Sequence, residues 1–290
     1  MKIKIGTRSS KLALIQAVSV KDFLEKEGYG VELVKITTSG DKILDRPIDK
    51  IGGNGVFSRE IEKKLINKEI DLAVHSLKDL PSILPDTLEL LEPLKAADPR
   101  DVFVGKKIPK DFSNLEGKII ATSSVRRKFL LESFFKGITI KSIRGNIDTR
   151  LEKVKNENMD GAIFAKAGLD RLKYDFNYLI LDPKIFIPAP CQGILGIEIR
   201  KEDTYLMKIF EQNKDPFSSF RMKVERTFQK ELSATCSSPI GIYTELMGDK
   251  LNLYGCYKSD FDENLKFSKV SGKASDGILL AKTLAKNLRS

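Results

Sequence analysis

His75, Ser76, Lys78 and Asp79 follow the short apolar stretch 71–75. A run of that length reads as a buried strand, and α/β proteins place their sites where such strands end. A carboxylate there can accept a hydrogen bond from a substrate N–H and stabilise positive charge as it develops, which makes Asp79 a candidate catalytic group. An ion pair with Lys78 or an arginine is the plainer alternative, and spacing does not separate the two. His75 is the sole histidine. With no nucleophile matched to it, it reads as a core or hydrogen-bonded structural side chain.

Anion chemistry is the second theme. Thr122, Ser123 and Ser124 precede Arg126 and Arg127 at a predicted helix start, where unpaired backbone N–H groups and the helix dipole favour a carboxylate. The same residues also suit an ordinary helix cap beside two solvated arginines. Arg144, Gly145 and Asn146, followed by Arg150, repeat the pattern at another strand-to-helix turn, with surface ion pairs as the alternative. Cys236 lies in the loop Thr-Cys-Ser-Ser-Pro, where a thiolate could form a covalent bond, although an isolated cysteine is more often structural. Cys256 falls within an alternating strand pattern and reads as packing.

Strands and helices must hold these groups. Lys2–Ile5 reads as a strand, Ser9 or Ser10 caps a helix over 12–24, and 31–37 is the next strand. The glycine-rich, charged stretch 39–55 has neither period and reads as a mobile loop. Helix 58–67 and strand 71–75 follow. A second set comprises strands at 102–104, 118–121, 138–143 and 161–165, with helices from 125 and over 150–156. IKIGTRSSKLAL and KIIATSSVRRKFL each place a strand, hydroxyl residues and an arginine before a helix, which hints at two similar α/β domains with mostly parallel sheets. The segment IFIPAPCQGILG, 185–196, reads as a crossover back to the first domain. A long helix then leads to strands around 242–246 and 251–257 and a terminal helix near 278–288, a small α+β domain.

Composition narrows the class. With 290 residues, 41% hydrophobic and 31% charged, the chain is long enough for two or three domains and reads as an ordinary globular protein. No apolar run suits a membrane span and the start MKIKIGTRSS is unlike a signal peptide, so a soluble cytoplasmic location is expected. Three cysteines, Cys191, Cys236 and Cys256, without a close pair indicate neither a disulfide framework nor a metal site. A net charge of +10 favours an anionic partner. Because the cations are scattered singly among Ser, Thr and Gly, a small polyanion fits better than nucleic acid.

Taken together, IGTRSSKLALIQA from Ile5, TTSGDKILD from Thr37, HSLKDLP from His75, ATSSVRR from Ala121, IRGNIDTRL from Ile143, AGLDRL from Ala167, PAPCQGILGIE from Pro188 and TCSSPIG from Thr235 resemble the porphobilinogen deaminase (hydroxymethylbilane synthase) family. The likeness covers nearly the whole chain. It implies two periplasmic-binding-protein-like α/β domains with a hinge, 1–96 with 193–214 and 97–192, and a third α+β domain, 215–290. It also implies a monomeric cytoplasmic transferase of tetrapyrrole biosynthesis, without metal, nucleic acid or membrane. Such an enzyme joins four porphobilinogen units head to tail on a dipyrromethane cofactor, then releases the linear tetrapyrrole by hydrolysis.

By that resemblance Cys236 carries the cofactor through a thioether, and Asp79 is the catalytic carboxylate that holds the pyrrole N–H as ammonia leaves. Lys78, Asp41, Thr122, Ser123, Ser124, Arg126, Arg127, Arg144, Gly145 and Arg150 are assigned to the cofactor. Arg8, Ser10, Gln16, Phe57, Arg171 and Gln192, again with Arg144 and Arg150, are assigned to substrate. Each pyrrole brings two carboxylates, and several charge-assisted donors would offset their repulsion and desolvation. The loop 39–55 would act as a lid. Asn54 stands where the family usually has Lys, Ala234-Thr235 replaces Gly-Gly, and Cys191 replaces Gly. A two-domain anion-binding protein without catalysis is the rival reading, and nucleic-acid binding is third.

Overall fold

In β1 (Lys2–Arg8) the buried Ile3 and Ile5 alternate with exposed Lys2 and Lys4, the period-2 signature of a strand with one face in the core. Two residues beyond the strand, Ser10 caps α1 (Lys11–Lys26), its side chain accepting from Ala13 N–H at 3.3 Å. The computed structural model describes residues 2–38, 58–234 and 238–290. The loop expected over 39–55, together with Asp41, Asn54, Phe57, Thr235 and Cys236, therefore lies outside the described residues. The chain divides into two compact units, 1–97 with 193–222 and 98–192 with 223–290.

The first unit is a five-stranded sheet in the order β2-β1-β3-β10-β4, formed by β1, β2 (Gly30–Ile36), β3 (Leu72–Ser76), β4 (Leu88–Leu90) and β10 (Leu195–Arg200). Both faces are covered. Ile3, Ile5, Leu72, Val74, Ile197 and Ile199 pack towards α1 and α6 (Thr204–Gln212). Ala73, Ile36 and Ile70 pack with Ile61 and Leu65 of α2 (Arg59–Ile66).

The second unit repeats this plan. Its five-stranded sheet runs β7-β6-β8-β5-β9, from β5 (Asp101–Gly105), β6 (Ile119–Ala121), β7 (Thr139–Lys141), β8 (Gly161–Ala165) and β9 (Leu179–Ile180). Three helices follow its strands: α3 (Val125–Phe134), α4 (Ile147–Asn156) and α5 (Lys166–Arg171). β1 and β6 occupy equivalent places in the two sheets, each followed by a hydroxyl-capped helix, which gives the two echoing motifs their structural meaning. A three-stranded antiparallel sheet, β11 (Ile240–Met247), β12 (Lys250–Tyr257) and β13 (Lys266–Lys273), follows the long helix α7 (Pro216–Glu231) and precedes α8 (Gly277–Arg289). Cys256 and Leu265 belong to the same buried cluster as Phe103, Ile163 and Phe186, so this small sheet completes a core begun by the five-stranded one.

The expectation of mostly parallel sheets is corrected. In each five-stranded sheet two pairings are parallel and two antiparallel. β10 runs against both β3 and β4, and β5 against both β8 and β9. Neither strand comes from a local strand-helix-strand unit of the kind that enforces parallel pairing. Helix α4 also begins earlier than expected, because Asn146 caps it by accepting from Thr149 N–H at 2.8 Å. No helix among the described residues is long and apolar enough to cross a membrane.

Candidate active site

Asp79 ends a single 3-10 turn, Leu77–Asp79, that leaves β3 directly. The turn is tied down by Leu77 N–H to Ile194 O at 3.1 Å and by Leu80 N–H to Leu77 O at 3.1 Å. It lies over Gly196, where a Cβ would stand 3.1 Å from a methyl of Leu77 and 3.3 Å from its Cα, so the bare backbone of β10 lets the turn dock. A recess of about 90 Å³ opens beside it, and Arg8, Ser10, Gln16, His75, Ser76 and Asp79 are among the residues lining it. The structure thus brings together Arg8, Ser10, Gln16 and Asp79, four residues that the family resemblance assigns to the site. Buried Gln16 crosses from α1 and donates to Ser76 Oγ at 2.8 Å. Asp79 is exposed and Lys78 half-buried. An exposed carboxylate beside a cation, hydroxyls and an amide can take a substrate N–H while the others hold its anionic arms.

His75 turns inward, as the sequence reading has it. Its Nε2 lies 2.8 Å from Glu198 Oε2, with both side chains buried. Glu62 of α2 is buried beside them. Burial pushes its carboxyl above the ordinary value and Glu198 adds to this, against the opposing effects of Ser58, His75 and Arg59. Sequence reasoning missed both acids. The available signal was an acid set among apolar neighbours, as in LGIEIR.

In the second unit one corner gathers the hydroxyls and two of the arginines. Ser123 Oγ donates to Ile143 O at 2.6 Å, accepts from Ile143 N–H at 3.0 Å and lies 3.0 Å from Ser142 Oγ, which joins the ends of β6 and β7. Thr122 Oγ1 accepts from Ser124 N–H at 3.2 Å, and Ser124 Oγ caps α3 through Arg127 N–H at 3.4 Å. Arg150 Nε donates to Gly145 O at 2.8 Å. Gly145 has φ +114°, and a Cβ there would meet Thr149 at 2.9 Å, so glycine is required where the chain turns between Arg144 and Arg150. Arg171, half-buried, closes α5, and burial lowers the pKa of its guanidinium against the pull of Asp170.

Arg126 and Arg127 are buried rather than solvated, which corrects the plainer alternative for this helix start. Arg126 donates to Asp101 Oδ2 at 2.8 Å and to Ile187 O at 2.6 Å. Arg127 donates to Asp101 Oδ1 at 2.7 Å and to Ile163 O at 2.9 Å. Gln192 reaches the same acid, with Nε2 at 2.9 Å from Asp101 Oδ1 and 2.6 Å from Pro99 O. Burial lowers the pKa of the Arg126 guanidinium, against the opposing attraction of Asp101. Asp101 was not singled out by sequence; its signal was an acid opening the apolar run DVFVG. Among the described residues no group of three or more His, Cys, Asp or Glu side chains is placed to hold a metal ion.

Hydroxyls and guanidiniums clustered at strand ends make a donor set for carboxylates, and a dipyrromethane carrying acetate and propionate arms fits that chemistry. The class this defines is a two-unit α/β protein whose first unit sets an exposed acid, Asp79, beside Arg8, Ser10 and Gln16 at a strand end, and whose second unit gathers hydroxyls and arginines at strand ends of its own. The chain belongs to the porphobilinogen deaminase family: residues 3–208 match the model of the porphobilinogen deaminase dipyromethane cofactor binding domain, and 219–290 match the C-terminal domain. It is 41% identical over 263 residues to a probable porphobilinogen deaminase of Picrophilus torridus, covering 91% of this chain and 92% of that one. It is 40% identical over 291 residues to the porphobilinogen deaminase of Trichlorobacter lovleyi, covering 99% and 93%. With that of Clostridioides difficile the identity is 38% over 296 residues, covering 99% and 98%. Among solved structures, the periplasmic VFT2 domain of Bordetella pertussis BvgS aligns at 14% identity and TM-score 0.44 over 78% of this chain and 92% of that one. An ancestral cationic amino acid solute binding protein aligns at 17% and 0.46 over 79% and 93%.

Proposed function

We propose that this protein is a hydroxymethylbilane synthase, a transferase that condenses four porphobilinogen units head to tail with loss of ammonia and releases the linear tetrapyrrole by hydrolysis. The observation that carries the reading is Asp79, exposed at the end of β3 on a recess shared with Arg8, Ser10 and Gln16, in a chain of this family. A carboxylate oxygen of Asp79 accepts the substrate's pyrrole N–H and offsets the positive charge that develops as the amine departs. It then takes the proton lost from the ring carbon after the new carbon–carbon bond forms. Arg8, Ser10, Gln16, Phe57, Arg171 and Gln192 hold substrate, with Arg144 and Arg150 shared between substrate and growing chain.

Cys236 would hold the dipyrromethane through a thioether, and Lys78, Asp41, Thr122, Ser123, Ser124, Arg126, Arg127, Arg144, Gly145 and Arg150 would bind its carboxylates. When bound, that group supplies the free pyrrole α-carbon at which condensation begins. For Arg126 and Arg127 the role is best filled through the backbone of the α3 start and their positive field, since both guanidiniums bond Asp101. We further propose a monomer acting in the cytoplasm, with a hinge between 1–96 plus 193–214 and 97–192, and with 215–290 as a third domain sharing its core with the second.

Intact mass spectrometry with and without porphobilinogen tests the reading. Protein from cells able to make porphobilinogen should carry a dipyrromethane adduct on Cys236 and gain stepwise pyrrole increments on incubation. Neither adduct nor increments would refute it.

A further inference from the structure

We propose that Glu198 is a positioning residue for Asp79, acting through His75 and the turn that follows it, an inference that rests on the reading of Asp79 as the catalytic carboxylate. Two residues of β10 and the one just before it hold the segment 75–80: Ile194 through its carbonyl to Leu77 N–H, Gly196 as the bare floor under Leu77, and Glu198 through the imidazole. His75 pairs with Gly196 in the sheet and Glu198 with Ala73, so the contact between them runs diagonally across the ladder. It lies on the face that Ala73 shares with α2, opposite the one carrying Val74 and Ile197.

This contact is expensive for a core. Glu198 is 0% exposed, and neither of its oxygens makes an aligned hydrogen bond among the described residues. Nε2 of His75 and Oε2 of Glu198 stand 2.8 Å apart, both buried, without the alignment of a straight N–H···O. Glu62 brings a second buried acid from α2, with Ser58 and Arg59 from the same stretch also facing the group. An apolar residue at 198 would avoid this desolvation, so the pair has little to offer stability. What it does supply is placement: the imidazole is pinned one residue before Ser76, which Gln16 fixes from the other side, and four residues before Asp79. His75 and Asp79 line the same recess. A shift of about 1 Å in a reacting group can cost on the order of a hundredfold in rate.

The test is Glu198→Gln in the cofactor-loaded enzyme, beside Asp79→Asn, with kcat and KM measured separately and folding followed by thermal melting. A positioning role predicts a melting temperature at or above the wild type, KM within about twofold, and kcat lowered by about tenfold to a hundredfold. Because His75 is the only histidine, its ring ¹⁵N resonances report the Glu198 contact without assignment ambiguity, and they should shift in Glu198→Gln but not in Asp79→Asn. If Glu198→Gln fails to fold, Gly196→Ala is the second handle, since its methyl presses on Leu77, and it should lower kcat at near-normal KM. Unchanged kcat in a folded variant, or unmoved ring resonances, overturns the inference while Asp79→Asn remains inactive. Turnover by Asp79→Asn itself removes the catalytic reading, and this inference with it.

Discussion

Asp101 Oδ2 and Arg126 Nη2 meet 2.8 Å apart with the acid wholly buried, and Arg127 takes the other oxygen at 2.7 Å. One carboxylate therefore serves two guanidiniums inside the second unit. Asp101→Ala would leave both cations buried without it, and breaking a buried pair from one side costs about 3–5 kcal/mol. Urea unfolding should show a loss of that size, with Asp101→Asn falling between the two. A loss below about 1 kcal/mol would mean that the carbonyls of Ile163 and Ile187 suffice.

Glu62 gives a pH signature. Its folded carboxyl titrates above the ordinary value, chiefly because it is buried, so the folded state binds its proton more tightly than the unfolded chain does. That contribution is fully present below the unfolded value and is lost as pH rises through the folded one. Glu62→Gln should therefore match the wild type at about pH 4 and become relatively more stable as the pH is raised towards 7. Melting temperatures across that range would check it; a difference independent of pH would contradict the sign.

Cys191 occupies left-handed backbone, φ +59°, with its N–H donating to Glu225 Oε2 at 2.5 Å. Backbone of this kind favours glycine, the residue that the family resemblance leads one to expect here. Cys191→Gly should be tolerated to within about 1 kcal/mol, as relief of strain offsets the lost side chain. Cys191→Val, β-branched at positive φ, should destabilise by about 1–3 kcal/mol. Equal stability of the two variants would contradict this.

Thiol chemistry should be selective. Cys191 and Cys256 are buried, and burial pushes the Cys256 thiol up to about 12. Brief alkylation of native protein at neutral pH should spare both, and denaturation should make both reactive. Peptide mapping of the alkylated chain would read this, and native labelling at Cys256 would show that its core opens.

Asp79→Asn should leave the melting temperature within a few degrees of wild type, since the side chain is exposed, and should lower turnover by about a hundredfold or more. Near-normal turnover would remove Asp79 from the chemistry.

How far the sequence reached depended on range. The strand before Ser10, the helix after it, the Ser124 cap and strand 161–165 were legible because period and capping are local. β10 was not legible as a strand: its partners β3 and β4 lie more than 100 positions away, and Pro and Gly dominate the run before it. For the same reason Glu198 and Asp101 looked unremarkable as letters and acquire meaning only across a ladder or under a helix. Arg126 and Arg127 show the converse, since two adjacent cations at a helix start look like solvent-facing donors until a distant acid is found beneath them.

The place of β10 also governs how the protein is made. β4 pairs only with β10 among the described strands, and β10 separates it from β3. A ribosome that has released residues 1–190 has therefore delivered two open strand edges and no means of joining them. The first sheet must wait for the chain to pass through the whole of 98–192 and return. A pause or a stop codon in that interval strands an adhesive half-sheet rather than a shorter working domain.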